Sequence, residues 1–228
     1  MTRPRMRFQQ EVIWRCLLYY FKYPLSLRDV ADLMADRGVS VHNSTIHRWV
    51  VKFGPELEKE FRKHKKPVCT TWFLDETYIK IHGEYKYLFR AVDKHGQTID
   101  FVLRAKRDRK AAMAFLKKAI KGSGSPKAIN VDQSKSNIGA IQQLNKYNRP
   151  KSNPIKMTKD KYRNNIVEQD HRCIKRKQKI SMSFRSLKSA KAIIAGVEIV
   201  HMIFKGQSGC LPLINTTPES QFWGLVTI

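Results

Sequence analysis

Apolar residues recur every three or four positions over residues 7–22, at Val12, Ile13, Cys16, Leu17 and Tyr20. This is the stripe of a helix packed on one side. In "SLRDVADLMADRG" the pair Ser26 and Asp29 predicts a capped helix start. Leu27, Val30, Ala31 and Met34 give that helix an inner face, and Gly38 stands where glycines end helices. A third helix, capped by Asn43 or Ser44, is spaced for burial at Ile46, Trp49, Val50 and Phe53. "GPELEKEFRKHKKP" is densely charged and closes on a proline, which predicts a helical linker and a domain boundary near residue 66.

Beyond that point the period drops from helical to alternating. "VCTTWFLDETYIKI", "EYKYLFRAVD" and "QTIDFVLRA" are rich in β-branched and aromatic residues and are separated by "HG" and "DKHG" turns. They predict three antiparallel strands. A helix over "DRKAAMAFLKKAIKG", a strand "KAINVD", a helix "SKSNIGAIQQLNKY" and a strand "PIKM" follow. A basic helix "RNNIVEQDHRCIKRKQK" and an apolar helix "SLKSAKAIIAGVEIVHMIFKG" complete the series, and residues 207–228 read as an irregular tail. The expected fold is α/β: an N-terminal helix-turn-helix bundle (1–66), then a ribonuclease H-like mixed five-stranded sheet flanked by helices (67–206), then the tail (207–228).

Charge narrows the function. Lys and Arg number 44 against 19 Asp and Glu, a formal net charge of +25 spread along the whole chain. Such a field attracts a polyanion, with nucleic acid the usual one and a ribosomal or membrane-surface role the alternatives. An apolar fraction of 42% excludes a disordered basic tail. Cys16, Cys69, Cys173 and Cys210 have no metal-ligand spacing and are expected as small buried apolar residues in a reducing compartment. "MTRPRMRFQQEV" has no apolar signal-peptide core and no stretch is long enough to span a bilayer. The expectation is a cytoplasmic chain with no membrane partner.

Two sets of residues carry candidate chemistry. On the third helix Ser44, Thr45, His47, Arg48 and Lys52 face outward, small polar and basic groups suited to phosphates and base edges. A solvated face of an ordinary three-helix bundle would look the same. In the sheet region acids are scarce, so Asp75 mid-strand, Asp132 at the end of the fourth strand and Glu168 early in the basic helix stand out. Carboxyl ends of parallel strands are where α/β sheets bind ligands. Converging carboxylates in so positive a field suit Mg²⁺, with Mn²⁺ able to substitute. Each acid also has a plainer reading: Asp75 in a buried ion pair, Asp132 as a helix cap, Glu168 paired with Arg172. Arg172, Lys175 and Lys179 repeat on about the face of Glu168, with Arg176 beside them, a stripe for DNA phosphates. Glu76 adjoins Asp75 but alternation turns it to the other face, toward a cation there or the DNA.

"FLDETYIKIHGEYKYLFRAVDKHGQTIDF", "VDQSKSN" and "NNIVEQDHRCIKRKQK" resemble the DDE transposases of bacterial insertion sequences, most closely insertion sequence family six. "RGVSVHNSTIHRWVVKFGPELEK" is similar to that family's N-terminal segment. The resemblance implies that Asp75, Asp132 and Glu168 are the metal-binding catalytic triad. It also implies recognition of terminal inverted repeats, release of 3′-hydroxyls and their joining to target DNA. Two ends must be joined, so a homodimer or larger assembly on nucleoid DNA is expected. A decayed, DNA-binding repressor of a related element and a ribonuclease H-like nuclease without strand transfer are the alternatives.

Overall fold

The computed structural model describes residues 8–132, 134–148, 153–160, 162–182, 184–209 and 217–227. Packing divides the chain into two compact units: residues 1–65 together with 176–228, and residues 66–175. No helix among the described residues is long and apolar enough to cross a membrane.

In the first unit, α1 (Gln10–Lys22) buries Ile13, Trp14, Cys16, Leu17, Leu18, Tyr20 and Phe21. Helix α2 (Leu27–Ala35) opens as its sequence predicts: the Asp29 N–H donates to Ser26 Oγ at 3.1 Å and the Ser26 N–H to Asp29 Oδ2 at 2.7 Å. Gly38 ends the following turn at φ +76°. Helix α3 runs unbroken from Asn43 to His64, so the expected third helix and helical linker are one element with Pro55 inside it. Its cap is neither Asn43 nor Ser44 but His42, whose Nδ1 accepts the Ser44 N–H at 3.2 Å. An imidazole acceptor one residue upstream does the work expected of a hydroxyl or amide.

Helix α7 (Leu187–Phe204) is buried on nearly every side and packs against α1 and α3. The expected domain span 67–206 takes in α7, yet it belongs to the helical unit; a helix apolar all round carries no stripe that assigns it a neighbour. Close approach is set by glycines: a Cβ at Gly54 would lie 2.5 Å from the Ala192 carbonyl oxygen, and one at Gly196 2.2 Å from the Phe21 ring. The expected irregular tail is corrected in part, because Pro218–Thr227 form α8. Thr217 Oγ1 accepts the Ser220 N–H at 3.1 Å, Pro218 occupies the first turn, and Phe222 and Leu225 are buried. Phe222 meets Trp14 edge-on, and the Arg15 guanidinium lies 4.9 Å over the Trp223 ring. Ten residues are too few for a period to show. Residues 210–216, with Cys210, fall outside the described residues. Of the other cysteines Cys16 is buried, while Cys69 and Cys173 are only half-buried, short of the burial expected.

The second unit is built on β1 (Thr71–Ile81), β2 (Glu84–Asp93), β3 (Thr98–Arg104), β4 (Ala128–Val131) and β5 (Lys156–Thr158). Their order is β3-β2-β1-β4-β5, the first three antiparallel and the last pairings parallel. This is the ribonuclease H-like mixed sheet the strand series predicts. His82 and Gly83 make the β1–β2 turn with φ +49° and +84°, the left-handed pair a two-residue hairpin uses. Helices α4 (Arg109–Ser123) and α5 (Lys135–Asn148) cover one face, with Phe115, Leu116, Ile141 and Leu144 packed on Trp72, Leu74, Phe89 and Ala91. The other face carries Phe73 and Val92 against Val167 of α6 (Asn165–Ile180).

Candidate active site

Strand alternation puts Asp75 on the α6 face and Glu76 on the α4–α5 face of the sheet. The last parallel pair between β1 and β4 is Leu74 with Val131. Asp75 and Asp132 are the next residues on their two strands, at the carboxyl end of β4 where its chain turns toward α5.

Asp75 keeps 23% of its side chain exposed, and His171 Nε2 of α6 lies 3.2 Å from its Oδ2. That is ion-pair range without hydrogen-bond alignment, and both ring nitrogens are otherwise buried without a hydrogen-bond partner. Burial pushes the imidazole below its ordinary pKa, and the Asp75 carboxylate pulls the other way. Arg90, opposite Asp75 on β2, is fully buried with its Nη1 3.9 Å from Asp170 Oδ2.

Asp132 Oδ1 accepts the Ser134 N–H at 3.0 Å, so it does brace the turn into α5. Its Oδ2 lies 3.5 Å from Arg107 Nη2. Arg107 is also the cation expected for Glu76, donating from Nε to Oε1 at 2.6 Å. Ser134 Oγ donates to the same Oε1 at 3.1 Å and Asn137 Nδ2 to Oε2 at 2.8 Å. The Glu76 side chain is 1% exposed, so its charge is stabilised by these three donors rather than by water. An open depression lined by Arg107, Asp132, Ser134, Lys135 and Ser136 lies beside this network.

The entry to α6 is locked by asparagines the sequence reading did not single out. Asn164 Nδ2 donates to the Leu74 carbonyl at 3.1 Å and its Oδ1 accepts from Asn130 Nδ2 at 2.8 Å. Asn130 Oδ1 accepts from Thr158 Oγ1 at 2.7 Å and the Asp160 N–H at 3.0 Å. One amide pair thus ties β1, β4, the segment after β5 and the start of α6. The adjacent asparagines in "RNNIV", between two basic stretches, are the one signal in the sequence that could have pointed to it.

Glu168 is exposed in the first turn of α6 and makes no ion pair with Arg172 among the described residues. Among those residues no three His, Cys, Asp or Glu side chains gather as a metal-sized group. The structure therefore sets Asp75 and Asp132 at neighbouring positions and does not draw Glu168 into one cluster with them. On α6 Arg172, Lys175, Arg176 and Lys179 are all exposed. Lys177 is not: its Nζ donates to the carbonyls of Tyr20, Tyr23 and Leu25, and burial pulls its pKa down to about 7. On α3 Ser44, Arg48 and Lys52 are exposed, while Thr45 and His47 are half-buried. His47 Nε2 lies 3.0 Å from Ser189 Oγ of α7, so it faces a helix as much as solvent. His42, Thr45, Arg48, Trp49 and Lys52 line a cleft of about 520 Å³.

The family model DDE_Tnp_IS240, a DDE domain, matches residues 69–207. The chain is 38% identical over 212 residues to the transposase for insertion sequence-like element IS431mec of Staphylococcus aureus strain Mu50, covering 93% of this chain and 92% of that protein. The same identity and coverage hold for the Staphylococcus aureus transposase of IS257 in transposon Tn4003. Among solved structures, the HTLV-2 integrase catalytic core domain in complex with magnesium aligns at TM-score 0.48 and 18% identity, over 70% of this chain and 97% of that one. With that family match and these relatives, the chain belongs to the DDE transposases of the IS240/IS6 insertion-sequence family.

Proposed function

We propose that this transposase binds the terminal inverted repeats of its insertion sequence, cuts each 3′ end and joins the freed 3′-hydroxyls to target DNA. The observation that carries the reading is the β1–β4 register, which runs to Leu74 and Val131 and so brings Asp75, midway along β1, next to Asp132, the residue that follows β4. Residues 1–66 are assigned to end recognition through the exposed edge of α3, and residues 67–206 to the chemistry. Two ends must be held at once, so the working form is a homodimer or larger on nucleoid DNA in the bacterial cytoplasm.

The donor set fits a divalent metal: two carboxylates from adjoining strands offer the hard oxygen ligands Mg²⁺ prefers, with Mn²⁺ as substitute. Asp75 and Asp132 would hold it, joined by Glu168 as the family resemblance implies. When bound, the metal lowers the pKa of the attacking water or 3′-hydroxyl and neutralises charge on the phosphoryl oxygens. The chain's own work is positioning. Arg107 and the Ser134 N–H fix the Asp132 carboxylate, and His171 sits against Asp75. The Asn130–Asn164 pair fixes the start of α6 relative to β1 and β4. Arg172, Lys175, Arg176 and Lys179 take DNA phosphates. No protein nucleophile is required, because geometry and electrostatics carry phosphoryl transfer.

The test is strand transfer with Mg²⁺ or Mn²⁺ on DNA carrying the element's own ends. Asp75→Asn and Asp132→Asn should each abolish joining while leaving end binding intact. Joining that persists in either variant would overturn the reading.

A further inference from the structure

Past the level of Tyr78 the sheet narrows to a β1–β2 ribbon. On the face that Glu76 shares, Tyr78 stands opposite Tyr87, Lys80 opposite Tyr85, and Arg104 of β3 beside Tyr87. Tyr78 is 53% exposed and Tyr85 60%. The Tyr78 ring lies 5.9 Å from that of Tyr85 and 5.4 Å from that of Tyr87, both tilted or edge-on. On the opposite face Ile79 and Ile81 are buried, so the ribbon is anchored from one side and open on the other. Rings this exposed do little for the fold.

Cations surround the rings. Lys80 and Arg104 flank them, and Arg107 lies near Tyr78. Arg104 Nε is buried without a hydrogen-bond partner among the described residues. The nearby acids are already engaged, Glu76 under Arg107 and Glu84 with Lys86 at 2.7 Å. Aromatic faces amid cations suit a strand whose bases stack on rings while its phosphates meet positive charge. Duplex DNA keeps its base faces stacked inside and offers none to a tyrosine, so the matching ligand is unpaired.

We propose that Tyr78, Tyr85 and Tyr87, with Lys80, Arg104 and Arg107, form a binding site for unpaired nucleotides of a DNA strand beside the active site. Tyr78 is three residues along β1 from Asp75, about 10 Å at strand rise. Asp75 lies on the other face of the sheet, but β1 pairs with β4 only as far as Leu74, so a strand whose phosphodiester lies at Asp75 reaches the rings by passing round that open edge once its next nucleotides leave the duplex. This rests on the reading of Asp75 as a residue of the reaction centre and of DNA as the substrate. It adds that frayed rather than fully paired DNA is held there, without base-edge readout.

The experiment uses the full chain and a fluorescent mixed-sequence single strand of about 15 nucleotides, with the duplex of the same sequence as comparison. Replacing Tyr78 and Tyr85 together by Leu should weaken single-strand binding about tenfold and leave duplex binding unchanged. Replacing both by Phe should keep wild-type affinity, since the ring and not the hydroxyl stacks. A 2-aminopurine in the single strand should change its fluorescence on binding wild type and Phe variant but not the Leu variant. Equal losses for single strand and duplex, or no loss for either, would overturn the site. So would a Leu variant that alters only sedimentation mass, which makes the face a contact between copies. If wild type binds neither DNA form, the functional reading fails as well. If Asp75→Asn abolishes joining while the Leu variant binds single strands normally, only this inference fails.

Discussion

Asp75 and Glu76 adjoin in the chain and meet opposite conditions. Glu76 is buried beneath one guanidinium and two neutral donors, whereas Asp75 remains a quarter open beside a buried imidazole. Removing one partner of a buried ion pair costs more than the pair contributes, because the remaining charge is stranded. Arg107→Met should therefore destabilise the protein by about 3 kcal/mol and Glu76→Gln by about 2 kcal/mol. The double variant should cost well under the sum, since each change removes the same pair. Urea unfolding of the four proteins measures this, and additive costs would show that Arg107 does not stabilise Glu76. Alternation alone separated the two acids in the sequence. It could not name Arg107, because Lys106, Arg107, Arg109 and Lys110 are equivalent cations until β3 ends and α4 begins. His171 and Asn164 were hidden for the same reason: a polar residue in a basic helix acquires its role only from the strand it lands on.

Among the elements, helices with their own stripe and cap were legible, and those defined by a neighbour were not. Helix α2 shows its capping box in the sequence, but Gly54, which there only opens the expected helical linker, is a point of contact between α3 and α7. Alanine normally favours a helix over glycine by about 1 kcal/mol. At Gly54 the added Cβ meets backbone at 2.5 Å, so Gly54→Ala should instead destabilise by about 2 kcal/mol. Gly122 in α4 has nothing within 4 Å, and Gly122→Ala should stabilise by about 0.5 kcal/mol. Thermal denaturation should move in opposite directions for the two; a shared direction would contradict the packing argument. Lys177 gives the end of α6 a second role, clasping the carbonyls between α1 and α2. Its folded pKa is about 7 against 10.5 for the free side chain. Between those values the unfolded chain binds more protons than the folded one, so stability rises with pH across the window. Wild type should gain stability from pH 7 toward pH 10 relative to Lys177→Met, which cannot titrate there. The variant itself should be less stable throughout, because the carbonyls of Tyr20, Tyr23 and Leu25 each lose a donor. A difference that is flat or falls with pH would remove the depressed lysine from the account.

For the molecule as a whole, the net charge of +25 was the plainest statement in the sequence, and the fold shows which part of it is free to act. Lys177 is spent on carbonyls and Arg90 is buried among acids, so neither is available to DNA. Arg172, Lys175 and Lys179 are exposed on one helical face, beginning a turn after Glu168. The family and strand order were legible because long strings and alternation carry them, while the helical partners of α7 and α8 follow from packing alone. If the three cations lie on phosphates, each neutralised phosphate releases counterions and adds about 0.9 to the slope of log affinity against log salt. Replacing all three by Ala should lower that slope by about 2.7 while weakening binding similarly for any duplex sequence. A charge contributing only to the long-range field would lower affinity with a smaller change in slope, and a solvated one would alter neither. Fluorescence anisotropy over roughly 50–400 mM NaCl, a range that spans several-fold changes in screening, separates these outcomes. An unchanged slope would place the DNA elsewhere than along α6. A slope lowered for end-bearing DNA alone would instead make these residues part of end recognition, which the sequence assigned to α3.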